Sequence, residues 1–203
     1  MGSAVTNTID FRVASLLQTI AGFFMGPSGP KCSECASVII DDKCPNLDCP
    51  LKVAKWVTRW CSPEAVNIPA LGQKATDQLA KLRLVLHPGE LYELSPSDWA
   101  RIDSLGTSQL TDIQAEIEVS KLAKPSALLY GLRLPGVSES LAKRLLEQFG
   151  NIAALRETKP KSLQEIDGID ETMAFEICRW FSDSVNKQAL KMLEQNGLNL
   201  GEQ

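Results

Sequence analysis

Apolar positions recur along this chain at helical spacing, in runs broken by short polar turns. The first run places Phe11, Ala14, Leu17, Ile20, Ala21 and Phe24 on one face, which predicts an amphipathic helix over Phe11–Met25. GPSGP (Gly26 to Pro30) then breaks the chain. After Cys49 the pattern turns helical and stays so to the end, interrupted often by Pro, Ser and Gly, with almost no sustained β-type alternation.

The interruptions repeat. AVNIPALGQKATDQLAKL, DWARIDSLGTSQLTDIQAEI, LLYGLRLPGVSESLAKRLLEQFG and SLQEIDGIDETMAFEICRWF share one design: a short apolar helix, a tight turn with glycine, and a second helix. Aligned on their turns, they bring Leu71-Gly72, Leu105-Gly106, Pro135-Gly136-Val137 and Asp167-Gly168-Ile169 together. This is the helix-hairpin-helix pattern, whose turn carries a hydrophobic residue flanked by glycines. Glycine tolerates positive φ there and lets backbone N–H groups approach a ligand closely. At the start of a helix, unpaired donors and the helix dipole favour an anion, and a nucleic-acid phosphate is the natural one. The plain alternative is an all-α bundle in which glycine serves only as a cap; four tandem copies weigh against it.

Composition narrows the setting. The 203 residues are 44% hydrophobic and 23% charged, ordinary for a soluble globular protein, and no window offers the roughly 18 to 20 uncharged apolar residues that a membrane span requires. A cytoplasmic protein is expected. Twenty-one Lys plus Arg against 25 Asp plus Glu give a formal net charge of −4, an acidic balance where a phosphate-binding surface calls for local basic patches. Two such patches exist. Lys52, Lys55 and Arg59 can share a helix face beside Trp56 and Trp60, and Lys143 and Arg144 follow the third turn. The four tryptophans, Trp56, Trp60, Trp99 and Trp180, are expected as core anchors, Cys61 and Cys178 as buried thiols, and His87 as a surface loop residue.

The densest chemistry is in KCSECASVIIDDKCPNLDCP, residues 31 to 50, where Cys32, Cys35, Cys44 and Cys49 are spaced C-x2-C-x8-C-x4-C. A reducing compartment disfavours disulfides, and C-x2-C folds into a knuckle whose two thiolates can face one ion. The spacing favours a four-thiolate structural zinc site over two disulfides or a metal-free knuckle. Four protein ligands leave no open position, so such a site holds structure and performs no chemistry.

A four-cysteine knuckle ending in CPNLDCP, followed by four helix-hairpin-helix repeats with ALLYGLRLPGVSESLAKRLLEQFG in the third, resembles the C-terminal half of bacterial NAD-dependent DNA ligases, from about Cys32 to Asn199. The resemblance implies a mainly α fold: a small zinc knuckle followed by four motifs in a compact helical domain that holds nicked duplex DNA by its backbone. It implies structural zinc on Cys32, Cys35, Cys44 and Cys49. DNA-facing positions are then Gly72, Lys74, Gly106, Thr107, Gly136, Ser138, Lys143, Arg144 and Gly168. The expected domains are an N-terminal helix and linker (1–30), the zinc finger (31–50), a first hairpin pair (51–125) and a second (126–203).

The chain also departs from that family. The adenylated lysine of its Lys-x-Asp-Gly motif has no counterpart, since the only Asp-Gly, Asp167-Gly168, follows Glu165-Ile166. The chain alone is therefore not expected to be an enzyme. Each hairpin keeps one of two glycines: Ala70 and Ser104 replace the first, Ser138 and Asp170 the second. Asp170 would repel a phosphate yet make a good N-cap, so the fourth hairpin is expected to be structural. The leading expectation is a non-catalytic, sequence-independent module holding double-stranded, nicked DNA in repair or replication. The alternative is a protein-interaction scaffold, or a split-ligase subunit meeting a catalytic partner in trans through the N-terminal helix.

Overall fold

The computed structural model describes residues 29–201, so the predicted helix over Phe11–Met25 lies outside the described residues. The chain divides into two compact units between Asn46 and Leu47.

In the first unit, two tight turns set the chain path. The Ala36 N–H donates to the Cys32 carbonyl and the Cys32 N–H to the Ser37 carbonyl, both at 2.9 Å, with Ala36 itself at φ 56°. Ile40 and Lys43 then exchange two backbone hydrogen bonds of 2.9 Å around Asp41 and Asp42, whose φ values of 47° and 57° are those of a type I′ hairpin turn. Only isolated β-bridges, Lys31 with Val38 and Ile40 with Lys43, occur among the described residues.

The second unit is all helical: α1 Pro50–Trp60, α2 Gln73–Lys81, a 3₁₀ turn Pro88–Tyr92, α3 Pro96–Trp99, α4 Thr107–Ser120, α5 Pro125–Gly131, α6 Glu139–Phe149, α7 Ile152–Arg156, α8 Pro160–Leu163, α9 Glu171–Ser182 and α10 Ser184–Gln195. The mainly α expectation is met. The helix opening each of the four hairpins, α1, α3, α5 and α8, begins with proline at its first turn, where the missing N–H costs nothing and φ is already helical. One apolar face of each long helix enters a common core: Val53, Val57 and Trp60 from α1, Leu141 and Leu145 from α6, Ile177 and Phe181 from α9, Leu190 and Leu193 from α10.

Trp56, Trp60 and Trp99 are buried as expected, but Trp180 remains partly exposed. Cys61 is buried and Cys178 half-buried. His87 overturns its expectation. It caps the 3₁₀ turn, and its ring is buried because Gly89, two residues on, lets the turn lie close to the Ala189 carbonyl and Met192 of α10.

Candidate metal centre and nucleic-acid interface

The four cysteines converge. Their Sγ atoms all lie within 4.8 Å of one another, and Cys35 Sγ is 3.4 Å from Cys44 Sγ. A tetrahedral ion with bonds of about 2.3 Å places its four sulfurs about 3.8 Å apart, so the donor set fits zinc in size, number and softness. The Ser37 hydroxyl and backbone N–H beside Cys35 pull its thiol down to about 6, which favours the thiolate a metal needs. Cys49 sits at the N-cap of α1, where the helix dipole also favours a thiolate. All six cysteines are free of disulfides.

The hairpins share a sharper template than glycine alone reveals. The carbonyls of Ile68, Ile102, Leu134 and Ile166 accept from the N–H groups of Leu71, Leu105, Val137 and Ile169 at 3.2, 3.1, 3.2 and 3.1 Å. The next residue caps the second helix: Gly72 for α2, Gly106 for α4, Ser138 for α6 and Asp170 for α9. The four glycines therefore occupy two different positions. Gly72 and Gly106 are caps with ordinary φ of −70° and −83°. Gly136 and Gly168 stand two residues earlier at φ +70° and +87°, the third-residue conformation of a type II turn.

This difference sorts the available donors. In hairpins 1 and 2 the cap has no side chain, so no side-chain oxygen occupies the first-turn N–H groups of α2 and α4. The turn N–H groups there are taken instead: Ala70 N–H by Glu116 Oε2 of α4 at 2.8 Å, Ser104 N–H by Gln78 Oε1 of α2 at 3.3 Å. Each hairpin is thus plugged by the second helix of the other. In hairpins 3 and 4 the arrangement inverts. Ser138 Oγ accepts from Leu141 N–H at 3.2 Å and Asp170 Oδ1 from Met173 N–H at 2.7 Å, while the exposed Gly136 and Gly168 N–H groups meet no acceptor among the described residues.

The charged positions fall around these turns unevenly. Lys74 is exposed in the first turn of α2, and Thr107 is the first residue of α4. Lys143 Nζ lies 2.6 Å from Glu139 Oε1 on α6, an exposed i,i+4 pair. Arg144 Nη1 donates to the Asp167 carbonyl at 2.8 Å, tying α6 to the turn of hairpin 4. The expected face of Lys52, Lys55 and Arg59 is split: Lys52 and Lys55 line a cleft with Trp56, whereas Arg59 turns to hairpin 3. There Arg59 Nη2 donates to the Val137 carbonyl at 2.8 Å, its guanidinium 4.1 Å from the Tyr130 ring centroid, beside Gly136 and Ser138.

Among the described residues no helix is long and apolar enough to cross a membrane. Residues 127–190 match the helix-hairpin-helix motif family, a stretch that holds hairpins 3 and 4. A DNA ligase of Fervidobacterium nodosum is 34% identical over 177 residues, covering 84% of this chain and 26% of the ligase. The DNA ligase of Anoxybacillus flavithermus is 33% identical over 175 residues, 83% of this chain and 26% of that protein. That of Heliobacterium modesticaldum is 29% identical over 181 residues, 88% and 27% respectively. The chain spans about a quarter of the length of the curated relatives it matches. With its clustered cysteines and its hairpins, it is similar over most of its length to the C-terminal, helix-hairpin-helix region of the DNA ligases.

Proposed function

We propose that this chain is a non-catalytic, sequence-independent DNA-holding module that grips duplex, nicked DNA by its phosphates, in repair or replication. The observation carrying this reading is that four turns closed by the same backbone hydrogen bond each leave backbone N–H donors facing solvent: first-turn amides after Gly72 and Gly106, turn amides at Gly136 and Gly168. Such donors bind phosphate without reading bases. Lys74, Thr107, Ser138, Lys143 and Arg144 stand around them, and Arg59 adds a guanidinium beside Gly136. Hairpin 4 contributes least, because the Asp170 carboxylate lies two residues from Gly168. Zinc on Cys32, Cys35, Cys44 and Cys49 would fix the knuckle and supply no reactivity. The sequence has no Lys-x-Asp-Gly lysine, so the part this chain plays in sealing nicks is to hold the DNA, working in the cytoplasm beside a catalytic partner.

A second reading, a protein-binding scaffold without DNA affinity, draws on the net charge of −4 and on Val119 and Leu122, apolar side chains 68% and 85% exposed. Fluorescence anisotropy of the zinc-loaded chain on nicked, gapped and intact duplexes separates the two. We expect a preference for the nick and a log-linear loss of affinity with salt, with a slope of about −3.6 for the four cations named. Lys143→Gln should flatten that slope by about 1. Absence of binding at low salt would leave the scaffold.

A further inference from the structure

Beside hairpin 3 lies a cleft of about 500 Å³ that the duplex-holding reading leaves unused, within the usual size of small-ligand sites. Trp56 and Trp180 form part of its wall, edge to face with ring centroids 6.4 Å apart. Trp180 packs against the core yet keeps part of its surface open, and Glu176 and Arg179 of α9 are exposed.

The cations of the cleft come from three elements: Lys52 and Lys55 of α1, Arg133 of the hairpin 3 turn and Arg179 of α9. Arg133 is the central one. Its guanidinium is half-buried, donates from Nη1 to the Lys52 carbonyl at 3.2 Å and lies 6.0 Å from the Trp56 ring centroid. Burial and the nearby Arg59 charge both work against its protonated form, and among the described residues no carboxylate forms an ion pair with it. The wall also carries three carboxylates, Asp48, Glu176 and Asp183, against its four cations, which leaves one positive charge in excess. Asp183 is turned into its own helix, accepting from the Val185 and Asn186 N–H groups at 2.9 and 3.3 Å, and Glu176 is exposed.

A patch of lysines attracts any polyanion. A half-buried guanidinium beside one indole, with a second indole partly open, is more selective, because it suits an anion joined to a flat ring. We propose that this cleft binds one unpaired nucleotide, its base against Trp180 and its phosphate between Arg133 and Arg179.

Tryptophan emission of the full, zinc-loaded chain reads the site directly, since Trp60 and Trp99 are buried and Trp180 is the partly open indole. The tetranucleotide (dT)4 should quench the emission saturably, whereas inorganic phosphate at equal ionic strength should not. Arg179→Gln, at an exposed position that anchors nothing, should weaken the quench at least fivefold, and Lys161→Gln, outside the cleft, should leave it unchanged. Thymidine monophosphate quenching as well as (dT)4 would support the same chemistry with a free nucleotide as its source. The proposal is overturned by no saturable quench at millimolar (dT)4, by equal losses in the two variants, or by a hexaglutamate peptide that quenches alike. Anisotropy on intact duplex, run beside these titrations, keeps failure of the cleft distinct from failure of the hairpins.

Discussion

His87 shows how much a single side chain can hide from a sequence. Next to Pro88 and Gly89 it has the flanks of a surface loop, yet it is buried, with neither ring nitrogen hydrogen-bonded; Glu90 Oε1 is 3.9 Å from Nε2. Burial lowers its pKa below the usual 6.5 and outweighs the opposing pull of Glu90 and Glu93. The unfolded chain therefore takes up a proton near pH 6.5 that the folded chain resists. Stability from this site is whole above that pH and is lost as pH falls below it, by at most about 1.4 kcal/mol per pH unit. Urea midpoints between pH 7.5 and 5.5 should fall more steeply for the wild type than for His87→Gln. Parallel slopes would show that the ring is solvated. The cysteines were legible where His87 was not, because C-x2-C and C-x4-C are local geometry, whereas the burial of His87 depends on α10, about a hundred residues away in sequence.

At the scale of elements, the four hairpins could be read from sequence because each is made within one short stretch: an apolar pair three residues apart, a turn, and a cap. Reading the turns through glycine alone, however, joins two positions that the backbone keeps separate. The apolar pairs Ile68/Leu71, Ile102/Leu105, Leu134/Val137 and Ile166/Ile169 are the constant feature, along with the proline that opens each first helix. Beyond reach were the plugs on hairpins 1 and 2, since Glu116 and Gln78 are 46 and 26 residues from the amides they cover. These plugs differ in strength. Glu116 offers a partly buried charged acceptor, so Glu116→Ala should cost about 1 to 2 kcal/mol, while the neutral acceptor of Gln78 should be worth about 0.5 kcal/mol. Chemical denaturation of the two variants measures the difference. Equal costs would mean that the carboxylate charge contributes nothing at hairpin 1.

For the whole molecule, the question is what the metal centre holds. The second unit has its own core, built from α1 through α10 with Trp60, Leu79, Leu128, Leu145 and Leu155 fully buried. The described residues of the first unit, 29–46, form turns and two isolated bridges with exposed apolar side chains such as Ile40, and none of them is buried. Removing zinc should therefore unfold the knuckle and leave the helices. Two readouts on one sample test this. Far-ultraviolet ellipticity should change little when a chelator is added, while the thiols titrated by an aromatic disulfide should rise by four as Cys32, Cys35, Cys44 and Cys49 are released. Cys61 provides the internal control. Burial, with the Glu116 charge adding to it, raises its thiol to about 12, so it should stay silent with or without zinc and react only when urea melts the helical unit. Loss of ellipticity on chelation, or early reaction of Cys61, would mean that the metal centre also sustains the helical core. Full reactivity of all four thiols before any chelator would remove zinc from the account altogether.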